Sequence, residues 1–79
     1  MRVLFFAQLK DATGCDAFEF APPAPLDAAQ LWALLLEKFP QLSKHRPHVR
    51  LSRNWEYAAA DARFSDQDEV ALIPPVSGG

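Results

Sequence analysis

One stretch of this 79-residue chain carries helical periodicity, and prolines close it at both ends. Ala21-Pro22-Pro23-Ala24-Pro25 resists helix and sheet alike and holds the backbone extended. Asp27 then supplies an N-cap, and Gln30, three residues on, is the reciprocal partner of a capping box. Leu31, Leu34, Leu35 and Phe39 recur on one side, Trp32 and Leu36 widen that stripe, and Glu37 and Lys38 fall on the polar side. Pro40 ends the run. The stripe reads as core rather than as a cofactor box. A single short helix must bury such a stripe against something, so the other apolar runs have to form the surface it packs on.

Those runs are short and strand-like. Residues 2–8 are dense in Val, Leu and Phe, residues 11–15 hold the turn formers Asp, Thr and Gly, and residues 16–20 alternate with Phe18 and Phe20 on one face. The first two strands therefore read as a hairpin. After the helix, residues 41–47 form a polar loop and Val49-Arg50-Leu51 alternates as a strand. Asn54 supplies turn chemistry, and residues 56–60 continue as the partner strand. Residues 61–68 read as a loop or single helical turn pinned to the core by Phe64, and residues 69–73 as the last strand. The order ββαβββ is an α+β class: five strands with one helix packed on one face, in a single domain spanning residues 1–75.

The strands are apolar at both parities. Val3 and Phe5 oppose Leu4 and Phe6; Val70 and Leu72 oppose Ala71 and Ile73. One helix covers one face, so the other parity leaves an exposed apolar patch, which a domain of this kind seldom keeps without a use. Phe6, Tyr57 and Ile73 are assigned to that open face.

Composition narrows the function classes. Hydrophobic residues make up 49% of the chain, yet no segment approaches the ~20 apolar residues of a membrane span. Val3-Leu4-Phe5-Phe6-Ala7 is too short for a signal-peptide core, so no membrane association is expected and the cytoplasm is the expected location. Cys15 stands alone, which excludes an internal disulfide framework and a cysteine-rich metal or iron–sulfur site; with no local base it does not read as a nucleophile. Net charge is −2. Its only basic concentration, Lys44, His45, Arg46, His48, Arg50 and Arg53, lacks interleaved aromatics and reads as a solvated loop and strand edge, not a nucleic-acid surface. His45 and His48 read as surface residues. No phosphate-cradling glycine loop, metal spacing or nucleophile–base set appears, so no cofactor and no metal is expected on this chain.

The chemistry concentrates after residue 73. Pro74 and Pro75 cannot donate to a ladder and end the strand. Val76, Ser77, Gly78 and Gly79 follow, and residues 76–79 read as a flexible tail. Glycine has no Cβ, so a Gly78-Gly79 tip fits a narrow channel and leaves the carbonyl of Gly79 open to attack. A carboxylate becomes a good electrophile once converted to an acyl adenylate.

Val3-Leu4-Phe5-Phe6-Ala7-Gln8, then Asn54-x-Glu56-Tyr57, then Asp66-x-Asp68-Glu69-Val70-Ala71-Leu72-Ile73-Pro74-Pro75-Val76-Ser77-Gly78-Gly79 resembles the sulfur-carrier small subunits of molybdopterin synthase, the MoaD family. The resemblance covers essentially the whole chain, with residues 36–49 matching weakly. It implies a ubiquitin-like β-grasp fold with a mixed sheet. It also implies that an E1-like adenylating enzyme, using ATP and Mg, activates Gly79, and that a sulfur donor converts it to a thiocarboxylate. The carrier then docks on the large catalytic subunit, in a heterotetramer of two small and two large subunits, and gives sulfur to cyclic pyranopterin monophosphate. On that reading Gly79 and Gly78 carry the chemistry, Phe6, Tyr57, Ile73, Pro74, Pro75, Val76 and Ser77 meet the partner, and the chain is a non-catalytic carrier. A carrier for thiamine or tRNA thiolation and a ubiquitin-like protein modifier are the alternatives. Gln67 stands where the family usually has Gly; were φ positive there, it would cost on the order of 1 kcal/mol.

Overall fold

The computed structural model describes residues 1–75, and at its centre two strands from opposite ends of the chain lie side by side. β1 (Arg2–Phe5) pairs parallel with β7 (Glu69–Ile73), setting Val3 beside Val70 and Phe5 beside Leu72. β2 (Ala17–Glu19) pairs antiparallel with β1 and places Phe18 against Val3, the expected hairpin. On the far side of β7, β4 (Arg50–Arg53) runs antiparallel with Arg50 opposite Ile73 and Ser52 opposite Ala71. β5 (Glu56–Tyr57) closes the edge, so the five-stranded mixed sheet has the order β2-β1-β7-β4-β5. This is the expected architecture, with the last strand at its expected bounds.

The main helix α2 (Ala28–Lys38) begins as expected: Gln30 N–H donates to Asp27 Oδ1 at 2.8 Å, and Asp27 N–H donates to Gln30 Oε1 at 3.0 Å. Leu31, Trp32 and Leu35 are buried against Val3, Phe5, Val70 and Leu72. Leu34, expected in the stripe, is only half-buried and lies beside Glu37 and Lys38. Trp32 takes its place because the packing face is rotated toward the Arg46–His48 turn, where the Arg46 guanidinium lies 5.6 Å from the Trp32 ring centre. Phe39 caps the bottom of the core edge-on, 5.3 Å from Phe5 and 5.3 Å from Phe18.

Three local expectations are corrected. β1 stops at Phe5, not at residue 8, and the expected turn over residues 11–15 is mostly helix: α1 spans Gln8–Thr13 and closes on Gly14 in the left-handed region at φ 77°. Ala7, at φ 51° and ψ −126°, ends the strand, and one helical turn carries Leu9 fully into the core. A helix of six residues with a single buried apolar anchor shows no periodicity in sequence. The loop over residues 41–47 folds as two short 3₁₀ turns, Pro40–Lys44 and Arg46–His48, around a fully buried Leu42. Within residues 61–68, β6 (Arg63–Phe64) pairs with β3 (Leu26–Asp27) in a separate ribbon. Phe64 is fully buried, as expected. Gln67 is absent from the positive-φ residues Ala7, Asn54 and Trp55, so the conditional strain at that turn does not arise.

Candidate functional site

Side chains alternate across a strand, and that alternation separates two surfaces. Val3, Phe5, Leu51, Val70 and Leu72 point under α2. Leu4, Ser52, Ala71 and Ile73 share the opposite, helix-free face, as the pairs Leu4–Ala71 and Ser52–Ala71 require. Phe6, Trp55 and Tyr57 are the large exposed hydrophobics among the described residues, at 40%, 65% and 58% exposure.

Two of the three expected face residues share one hollow. Tyr57 and Ile73 line one shallow hollow of about 200 Å³ with Ser52 and Trp55. Phe6 lines a separate hollow with Arg2, Leu4, Lys10 and Asp16. The β1–β7 register ends with Phe5 beside Leu72, and Phe6 and Ile73 are the residues that follow these two in the chain. Pro74 and Pro75 continue from Ile73 at this same end, half-buried and exposed respectively. Val76, Ser77, Gly78 and Gly79, expected to contact the partner and carry the chemistry, lie outside the described residues.

The face also holds residues that sequence reasoning missed. Trp55 occupies the second central position of a two-residue hairpin loop, with Asn54 at φ 52° and Trp55 at φ 70°. Such a loop demands positive φ at both positions, and Asn or Gly normally supplies it. A tryptophan held there is under backbone strain. The signal was an aromatic following Asn54 where glycine is usual. Arg50, read as part of a solvated basic run, stacks on the Tyr57 ring with its guanidinium 3.9 Å from the ring centre. Ser52 is only 3% exposed, and its Oγ is buried with no hydrogen-bond partner among the described residues.

Behind the face, a polar clasp ties the β4–β5 turn to the start of β7. Asn54 Nδ2 donates to Asp68 Oδ1 at 3.0 Å, Glu69 N–H donates to Asn54 Oδ1 at 2.9 Å, and Asn54 N–H donates to the Glu69 carbonyl at 2.7 Å. Ser65 N–H donates to Asp68 Oδ2 at 2.8 Å. Desolvation opposes the Asp68 charge, but the Ser65 N–H, the Asn54 amide and the Arg53 charge together outweigh it and lower its pKa. Asn54 and Asp68 thus have a structural role in holding this turn.

Elsewhere, His45 and Lys44 line a shallow depression with Gln8, Asp11, Ala12 and Gln41. Cys15 is half-buried and its N–H faces Thr13 Oγ1 at 3.4 Å. Among the described residues no three His, Cys, Asp or Glu side chains are grouped to hold a metal ion, and no helix is long and apolar enough to cross a membrane.

Comparison with known proteins places this geometry. The ThiS family pattern matches residues 3–79. A molybdopterin synthase sulfur carrier subunit of Caenorhabditis briggsae is 37% identical, covering 100% of this chain and 96% of the relative. Among solved structures, SAMP1 from Haloferax volcanii superposes with a TM-score of 0.85 at 29% identity, covering 100% of this chain and 98% of that one. Subunit 1 or 2 in the complex of the two Molybdopterin-converting factor subunits from Helicobacter pylori superposes with a TM-score of 0.71 at 26% identity, covering 99% and 96%.

Proposed function

This chain belongs to the ThiS family, and on that footing we propose that it is the sulfur carrier subunit of molybdopterin synthase, working in the cytoplasm. Gly79 is the reacting residue. An E1-like enzyme joins its carboxylate to the α-phosphate of ATP, with Mg supplied there, and releases pyrophosphate. A donor supplies sulfide-level sulfur that attacks the acyl carbon, the acyl–phosphate bond breaks and AMP leaves, so a thiocarboxylate forms. The charged carrier docks on the large subunit and its sulfur bonds to cyclic pyranopterin monophosphate; water then attacks the acyl carbon, the acyl C–S bond breaks, and the carrier returns as the carboxylate. This chain supplies the reacting end and the docking face, and the catalytic groups belong to its partners.

The observation that carries the docking half is the helix-free face: Tyr57 and Ile73 line one hollow there, and exposed Phe6 follows the end of β1, the strand beside the one from which Pro74 and Pro75 depart. Anchors placed there fix the domain while residues 76–79 reach another protein's site. The likeness to one subunit of a two-subunit complex supports the same arrangement.

The test is intact-mass measurement of the protein purified from its native cell. A species with one oxygen exchanged for sulfur, together with co-purification of a pterin-handling large subunit, supports the proposal. The likeness to a small archaeal modifier protein 1 of H. volcanii favours a second reading, in which Gly79 forms isopeptide bonds with lysines. High-mass conjugates in place of the thiocarboxylate establish that reading. A thiocarboxylate whose carrier is captured by thiamine or tRNA-thiolation enzymes assigns the sulfur to those pathways.

A further inference from the structure

Resting on the docking face just described, we propose that the hollow between Ser52, Trp55, Tyr57 and Ile73 is a carboxylate subsite. An Asp or Glu side chain of the large subunit is held there by the Ser52 hydroxyl and the Arg50 guanidinium.

The Ser52 hydroxyl has no role in the fold. It sits at 3% exposure with its Oγ buried and unpartnered among the described residues, and a buried hydroxyl without a partner is destabilising. A methyl group would fill the position without that penalty, as Ala71 does directly across the β4–β7 pair. A free-standing domain gains nothing from serine here. An intermolecular acceptor for the hydroxyl gives it a use.

Arg50 supplies the charge. It lies two residues before Ser52 on β4, so both side chains emerge on the same face about 7 Å apart along the strand. The guanidinium rests on the Tyr57 ring, and among the described residues it pairs with no carboxylate. A cation–π contact on an exposed ring is weak, whereas a guanidinium–carboxylate pair is charge-assisted and bidentate. A partner carboxylate therefore draws Arg50 off the ring. Tyr57 lies opposite Ser52 on the two-residue edge strand β5. Once released it can turn aside and uncover Ser52 Oγ, leaving both donors to one acceptor.

The walls favour that acceptor. Trp55 and Ile73 are apolar and exclude water once the interface closes, which strengthens the hydrogen bonds inside. Trp55 contributes nothing to the core, yet is held in a strained conformation at 65% exposure. Strain of this kind persists where function uses the side chain.

The experiment measures affinity of the full-length chain for the large subunit encoded in the same genome, by titration calorimetry, together with thermal midpoints. Ser52→Ala is expected to melt at the same temperature or higher and to bind about tenfold more weakly. Arg50→Met is expected to lose about as much, and Ser52→Thr, which keeps the hydroxyl, to bind more tightly than Ser52→Ala. Because both donors hold one acceptor, the double variant should lose less than the product of the single losses. Wild-type affinity for Ser52→Ala, or fully multiplicative losses, overturns the subsite. Ile73→Asp separates the two levels. If it abolishes binding while Ser52→Ala is silent, the subsite falls and the docking face stands; if it too binds normally, the docking face itself falls.

Discussion

The two faces of the sheet are built from the same strands and have opposite characters. Under α2, Val3, Phe5, Val70 and Leu72 are sealed in hydrocarbon, with nothing polar and nothing strained. On the other side, one residue along each strand, stand exposed Phe6 and Tyr57, a Ser52 hydroxyl unpartnered among the described residues, an arginine parked on an aromatic ring, and a tryptophan at positive φ. Burial on the covered face stabilises the domain; the features of the open face detract from stability or are neutral to it. Features that do not help a chain fold are where a second protein's contribution is to be sought.

The sharpest separation lies at the chain's reactive end. Deleting Gly79, or extending beyond it, should abolish thiocarboxylate formation and sulfur delivery while the thermal midpoint stays put. Deletion withdraws the reacting carbon by roughly 3.5 Å, and misplacement of about 1 Å can cost a hundredfold in rate. An extension replaces the carboxylate by an amide. Near-normal transfer by the deletion variant removes the carrier reading.

Adjacent residues of β7 test the faces against each other. Leu72→Ala should cost about 2–5 kcal/mol of stability by leaving a cavity, which is severe for a domain of this size. Ile73→Asp, one residue on, should leave the domain folded but weaken large-subunit binding by about 2 kcal/mol or more. Denaturant unfolding and calorimetric binding, run on both, must give crossed outcomes for the contrast to hold.

A smaller effect is expected at the strained turn after β1. Ala7→Gly relieves a positive-φ residue that joins the Phe6 strand end to α1, and should stabilise by up to about 1 kcal/mol. A loss of stability would mean that the restriction of the unfolded chain by alanine outweighs the relief.

The smallest effect is pH dependence from the clasp. The Asp68 pKa is lower in the folded chain than in the unfolded one. Its contribution is therefore present above the unfolded value of about 3.9 and is lost as pH falls through the folded value. Asp68→Asn should flatten the acid limb of stability measured by thermal melting and leave neutral-pH docking nearly unchanged.

Legibility followed the distance over which each feature is decided. The Asp27–Gln30 capping box, the Pro40 stop, the last strand and the proline break after Ile73 each depend on neighbours within a few residues, and all were readable in the chain. So was the alternation that puts apolar residues at both parities of the strands, with Phe6 and Tyr57 left exposed. Tertiary structure alone decided which parity faces the helix, because Val3 meets Val70, 67 residues further along the chain, in a register that no local pattern encodes. It also chose Trp32 over Leu34 for the core, paired Leu26 with Phe64, and buried Leu9 through a helix too short to be periodic. The placement of Arg50 on Tyr57 and of Ser52 beneath the face has the same origin. Strand partners from distant segments set what each side chain touches, whereas local propensity sets only where a strand begins and ends.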